Sequence, residues 1–422
     1  MNLYLAHRTA DRTCSVLYCW FPGVIGIRLS RLALRSVMHA TFIRLLVHTQ
    51  IMDSSQRVEL LQKLIGQIRE GEFPYVERPK KPINWSKYDT AQCRQIVDVI
   101  NTIRQSVDEA AIRIATVRGA VPPGPGRPPN HPADIAKVLL LQSFFGVPNR
   151  PAEGLLILFS DRLGIRSDFS YKTIERGYDH NAVNEILDEV FSLTNEQVQD
   201  LETALSVDGS GASTSNKQNY AVDRRKQRTK DSGGPQNGEW AKNIGCDSRD
   251  YQYHLAAIGI RCKLFAAYTS TSNHHVGELG LYPTTLEAAV RNQPNAETIL
   301  GDGLFAGRPA CNLAHEYGLK PFFLPRRNAT LRSKGSPSWI QMNMNLLRNP
   351  QQWLSTYHMR SISETGFSML VRAFPQPLRK RLESRKVTED FLRGICHNIK
   401  RLCYLRYLED LHIDFRRGRV AE

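Results

Sequence analysis

Beyond Leu201 the chain changes its period. Short β-favouring runs bounded by Gly, Asn and Asp replace the helical spacing that precedes them: ALSVDGSG, YHLAAIGI, CKLFAAYTS, ETILGDG and KPFFLPR. A helical stretch from Thr284 to Arg291 separates the third run from the fourth, and another from Arg308 to Tyr317 separates the fourth from the fifth. A further helix carries Glu364. The order βββαβαβ and then α admits few solutions. Three strands in a meander followed by alternating helices and strands give a mixed sheet covered by helices.

Two of the runs end alike, LSVDGSG at Asp208 and TILGDGLFAG at Asp302. An Asp-Gly pair at one strand end is usually just a turn. Its repetition in two strands of this order points instead to carboxylates held rigidly at strand ends, with a small residue beside each leaving room for a metal, its waters and a phosphate. A third carboxylate is expected from the helix. In YHMRSISETGFSMLVR, Tyr357, Arg360 and Glu364 are spaced by three and four residues, so they share one helical face, with Arg372 near its continuation. Arg360 can grip a phosphate or orient Glu364, and Tyr357 can donate a hydrogen bond or pack on a sugar. Taken alone, Arg360 and Glu364 make an ordinary surface pair. Asp223 competes for the first acid, and Glu383 and Glu389 for the third, but neither glutamate follows a Tyr-x2-Arg.

The segment YHMRSISE resembles the acidic helix of the insertion-sequence DDE transposases whose motif is Tyr-x2-Arg-x3-Glu. ILGDGLFAGRPACNLAHEYGLKPFFLPRR is similar to the second-acid region of that family, and GRPPNHPADIAKVLLLQSFFGVPNRPAEGLL to the helical region before its catalytic domain. The resemblance covers roughly residues 125 to 410. It implies a ribonuclease-H-like α/β catalytic domain and a catalytic, metal-binding triad of Asp208, Asp302 and Glu364. Two Mg2+ or Mn2+ ions would sit about 3.5 to 4 Å apart in such a site. The implied partners are double-stranded DNA, as terminal inverted repeats and target, and further copies of the chain, as a homodimer or higher oligomer. DNA contacts would come from Tyr357, Arg360, Arg372 and the basic strand end at Arg326 and Arg327. The family usually has Lys seven positions after the glutamate; here Val371 fills that place and Arg372 follows. The competing readings are a ribonuclease-H-like nuclease without strand transfer and an inactive DNA-binding protein.

The rest of the chain fits around this domain. Asp53 can cap a helix carrying Val58, Leu61, Leu64, Ile65 and Ile68, and Ile96, Ile100, Ile103, Val107 and Ile114 mark a longer one, so 52–118 reads as helical. Residues 119–132 are too rich in Pro to continue it and read as a linker. Residues 133–201 again show helical spacing and, with Lys172, Arg176 and His180, suit a helix-turn-helix DNA reader as well as a structural bundle. The catalytic domain would span 202–410, interrupted by polar stretches at 213–250 and 328–355 that lack clear periodicity, with 411–422 as a basic tail. The first stretch holds the cations Arg224, Arg225, Lys226, Arg228 and Lys230. In the basic C-terminal region, Phe391, Ile395, Ile399, Leu402 and Leu405 keep helical spacing.

A formal charge of +15 suits a polyanionic partner. No apolar stretch is long enough to span a bilayer, so a cytoplasmic protein without membrane partners is expected. Eight cysteines without a CxxC pair give neither a disulfide framework nor a zinc ribbon. Residues 1–51 hold six Arg, no Lys and no Glu, a bias unlike the sequence beyond Met52; we expect an over-extended start.

Overall fold

The computed structural model describes residues 3–4, 17–21, 24–29, 53–75, 82–119, 130–165, 167–217, 249–273 and 276–416. Most of 1–51, the centre of the Pro-rich segment, the cations at 224–230, Asp223, Cys246, His274, His275 and the last six residues lie outside them. Three short strands, β1 (Leu3–Tyr4), β2 (Leu17–Phe21) and β3 (Val24–Leu29), pair antiparallel in that order. The described residues divide into two compact units, one comprising those up to Glu77 with Pro325–Ser355, the other Arg78–Leu324 with Thr356 onward.

In the smaller unit, α1 (Ser54–Arg69) starts from the expected cap: Asp53 accepts from the Gln56 backbone while the Gln56 side chain accepts from the Asp53 N–H. Its partner is the stretch in which no periodicity was read. Residues 328–355 contain two helices, α9 (Pro337–Arg348) and the start of α10 (Pro350–Tyr357), which bury Trp339, Met342, Leu346, Leu347, Trp353 and Leu354. Gln62 donates to the Ala329 carbonyl at 3.1 Å and Arg69 to that of Pro325 at 2.9 Å, tying α1 to this stretch.

The larger unit is the mixed α/β domain. Its sheet runs β6-β5-β4-β7-β8, with β4 (Ala204–Lys217), β5 (Arg249–Gly259) and β6 (Phe265–Thr271) as the antiparallel meander. Strands β7 (Thr298–Gly301) and β8 (Lys320–Phe323) add parallel to β4 through α7 (Glu278–Asn292) and α8 (Arg308–Glu316). This is the ribonuclease-H-like arrangement expected from the order of periods. Helix α7 begins six residues before the stretch read as helical and carries Pro283 inside it.

Helices α2 (Trp85–Arg118), α3 (Pro132–Phe145), α4 (Asn149–Leu163), α5 (Tyr171–Gly177) and α6 (Asn181–Glu196) share one hydrophobic core with β5, β6, α11 (Ser361–Ala373) and α12 (Glu383–Leu408). Ile100, Ile103 and Val107 of α2 are buried in it, whereas Ile96 faces solvent. From α12, Leu392, Ile395, Ile399 and Leu402 are fully buried, and the thiols of Cys396 and Cys403 fill space beside them. The edge of β6 is closed by Asn398, which accepts from the Phe265 N–H at 2.8 Å and donates to the Phe265 carbonyl at 2.9 Å.

Candidate active site

The parallel pairing of β4 with β7 sets Ser206 opposite Leu300. Two residues beyond that pair come Asp208, still within β4, and Asp302, the first residue past β7, near enough that the charge of Asp302 acts on Asp208. Both follow apolar residues buried in the sheet, Val207 and Leu300 among them, but only Asp302 stands where its strand gives out; β4 runs on past Asp208 to Lys217, paired with β5, so the strand end expected at Asp208 is not there. Asp302 turns the chain, its Oδ1 accepting from the Leu304 N–H at 2.7 Å.

Asp208 is partly enclosed. Ser363 Oγ donates to its Oδ2 at 3.0 Å, and Arg360 Nη1 lies 3.9 Å from the same oxygen. Burial pushes its carboxyl above the usual range and the charge of Asp302 adds to that, while Ser363, Arg360 and the Gly209 N–H pull the other way. Enclosure therefore outweighs the hydrogen bonds.

The start of α11 and the 3-10 turn before it bring these partners against β4. Ser206 Oγ donates to the Arg360 carbonyl at 3.3 Å, and Ser363 Oγ also reaches that carbonyl, at 2.8 Å. Gly366 lets α11 approach β5: a Cβ there would lie 2.8 Å from Ile258 Cδ1. Phe367 and Leu370 then enter the core. Arg360 bridges the two elements, since its Nη2 donates to Glu364 Oε1 at 3.1 Å while Nη1 faces Asp208. Glu364 occupies the first turn of α11 and is 61% exposed.

The face drawn through Tyr357, Arg360 and Glu364 is interrupted. Tyr357 ends α10, residues His358–Arg360 form a 3-10 turn, and only then does α11 begin. The Arg360–Glu364 spacing survives that change, and the Tyr357 ring lies against His358, with centroids 5.8 Å apart. Arg372 is exposed in the last turn of α11. Arg326 and Arg327 are exposed and belong to the smaller unit, where Arg327 pairs with Glu70 at 3.0 Å. Lys172, Arg176 and His180 are exposed on and just after α5.

Two participants were not read from the sequence. Ser363 is one. The other is Glu278, first residue of α7, whose Oε1 accepts from Tyr253 Oη at 2.5 Å. The room beside Gly209 is filled by this pair: a Cβ there would come within 2.4 Å of Tyr253 Oη and 2.5 Å of Glu278 Oε1. The glycine thus admits protein groups on that side.

Among the described residues, no three His, Cys, Asp or Glu side chains converge closely enough to hold an ion between them. Asp208 and Asp302 by themselves suit a divalent cation: their oxygens are hard donors, and a cation relieves the cost that burial and the neighbouring charge impose on Asp208. Glu364 is turned to Arg360 instead.

No family model matches the chain, and no solved structure matches it. It is similar to a protein of Archaeoglobus fulgidus named as a probable transposase for insertion sequence element ISA1214, with 24% identity over 349 residues. That match covers 81% of this chain and 93% of the archaeal one.

Proposed function

We propose that this chain is an insertion-sequence DDE transposase, cleaving DNA at element ends and joining the freed 3′ ends to target DNA by metal-dependent phosphoryl transfer. The observation that carries the reading is the placing of Asp208 and Asp302 on neighbouring parallel strands, near enough that one charge acts on the other, with Ser363 and Arg360 gathered on Asp208. The similarity of 81% of the chain to a probable insertion-sequence transposase supports it.

Asp208 and Asp302 would hold Mg2+ or Mn2+, and Glu364 would complete the triad once Arg360 releases it. Bound divalent ions supply Lewis-acid activation of the attacking oxygen and stabilisation of the leaving one. Ser363 keeps one Asp208 oxygen in place. The Arg360 guanidinium already stands between two acids, and on arrival of DNA it can exchange a carboxylate for a phosphate, a trade that planar bidentate geometry favours. Exposed Arg372 would grip the backbone, with Tyr357, Arg326 and Arg327 as further DNA contacts, and the chain would act as a homodimer or higher oligomer on its two element ends. Among the described residues no helix is long and apolar enough to cross a membrane.

The test is incubation of the purified protein with labelled DNA bearing the element's terminal inverted repeats, a target plasmid and Mg2+. Joined product that disappears with EDTA is expected. Nicks without joined product would instead favour a ribonuclease-H-like nuclease.

A further inference from the structure

The turn between α3 and α4 and the segment joining α11 to α12 enclose a cavity of about 640 Å3, all of it within the larger unit. Sites that take a small organic ligand measure about 300–1,000 Å3. The charge of this one is unbalanced, since Arg379, Lys380, Arg381, Arg385 and Arg393 line it against Glu175 and Glu389. Lys380 is buried over the Tyr178 ring and shares Glu175 with Arg385, at 2.6 and 2.8 Å. Glu389 accepts from the backbone N–H groups of Arg379 and Lys380. The remaining guanidinium groups meet neutral partners. Arg379 Nη2 donates to the Gly146 carbonyl at 2.9 Å and Arg393 Nη2 to that of Gln376 at 2.6 Å, so both are oriented without being discharged. Arg381 is exposed. Helices α4 and α12 begin at the cavity wall, each without a side-chain cap, and add the positive ends of two dipoles. Apolar lining comes from Phe374 and from Phe144 and Phe145, which are partly exposed and meet edge to face with centroids 5.1 Å apart.

Surplus cations beside partly exposed rings suit a ligand that carries both a phosphate and a flat base. The place of the cavity favours DNA. Leu378, next to Arg379, donates its N–H to the Ser213 carbonyl at 2.9 Å and bridges Thr214, on the part of β4 that runs on past Asp208. From Asp208 to Ser213 the strand covers roughly 17 Å at roughly 3.3 Å per residue, the rise of about five base pairs. A DNA strand whose reacting phosphate lies at Asp208 has the reach to enter the cavity. A duplex is too wide for it, whereas a single nucleotide is not.

We propose that this cavity receives one unpaired nucleotide of the DNA strand bound at Asp208, with Arg379, Arg381 and Arg393 on its phosphates and its base against Phe144 and Phe145. This rests on the reading of the chain as a DNA transposase. The cavity would fix where the strand lies relative to Asp208 and take no part in the chemistry.

A short oligothymidine carrying 5-iodouracil, bound to the full-length protein and irradiated, tests the assignment, since the halogenated base couples to an aromatic ring stacked on it. Cross-links at Phe144 or Phe145 are expected, and cross-links only elsewhere in the chain refute the proposal. Affinity for the same oligomer, read by fluorescence anisotropy, gives a second test. Replacing both rings, Phe144→Leu with Phe145→Leu, should weaken binding about tenfold or more, the scale of one stacked base. Arg381→Gln with Arg393→Gln should weaken it too and lower the salt slope by about one for each lost phosphate contact. Weaker binding in the Arg variant beside wild-type affinity in the Leu variant removes the base from the cavity and overturns the proposal. Wild-type chain that binds duplex element ends but not the oligomer also overturns it and leaves the transposase reading standing. Failure to bind either DNA overturns both.

Discussion

Asp208 depends on one hydroxyl more than on any other uncharged group. The one Ser363 hydroxyl proton is shared between Asp208 Oδ2 and the Arg360 carbonyl, and removing the hydroxyl takes it from both. Groups that orient a ligand cost about 10- to 100-fold when lost. Ser363→Ala should accordingly lower the single-turnover cleavage rate by that factor at unchanged DNA affinity, and a rate within twofold of wild type would show that Asp208 needs no such support. A second residue reports on the fold alone. His397 is buried against Phe265, and its Nε2 donates to the Lys263 carbonyl at 2.9 Å. Burial pushes its pKa down to about 3. The unfolded imidazole titrates near ~6.5. Between those values the unfolded chain binds a proton that the folded chain refuses, so stability rises with pH across the window and is lost as pH falls below ~6.5. The contribution is about 1.4 kcal/mol per pH unit. Urea unfolding at pH 7, 6 and 5 should show this slope in the wild type and a flatter one in His397→Gln. Asp208 and Asp302 stand out in the sequence because Asp-Gly follows two apolar runs, although β4 continues past the first; Ser363 and Glu278 do not, because packing alone brings Ser363 to Asp208 and Glu278 to the Gly209 position.

At the scale of elements, prolines set the limits of sequence reading. Pro337 and Pro350 stand at the starts of α9 and α10, where a missing N–H costs nothing, yet along the sequence they resemble breakers. Pro283 misled in the same way, moving the expected start of α7 past Glu278 and hiding that acid. The strands were easier. All five candidate runs became strands of one sheet, but β4 and β5 extend beyond their apolar runs, through 213–217 and 249–250, into the stretch expected to be a polar interruption. The element contact that matters most to the site is α11 on β5. Gly366→Val would drive a branched side chain into Ile258, which is fully buried, and force the helix outward. Overpacking of this kind costs about 1–3 kcal/mol. We expect a matching drop in unfolding free energy, together with a cleavage defect larger than that of an equally destabilised variant elsewhere. Equal defects would mean that the α11 position does not govern the chemistry.

Within the larger unit, the helices before the five-stranded sheet and the long α12 after it close a single core, so the sheet is framed by both ends of that unit. That closure was only half visible in the sequence: the spacing of Ile395, Ile399 and Leu402 announced a helix, but not that it would lie along the edge of β6. On the proposed reading, the net charge of +15 would set the mode of DNA binding. Contacts to several phosphates release counterions, and affinity for DNA carrying the element ends should fall about 10³-fold or more between 50 and 200 mM salt. A shallow salt dependence would place recognition elsewhere than in the phosphate backbone. The pairing of Asp208 with Asp302 is the central claim, and single-turnover joining of a labelled element end to target DNA tests it most directly. Asp208→Asn and Asp302→Asn should each lose joining by about 10³-fold or more while binding the same DNA as tightly as wild type, since carboxylates position the metal and cations hold the phosphates. Joining that persists at near wild-type rate in either variant would contradict it.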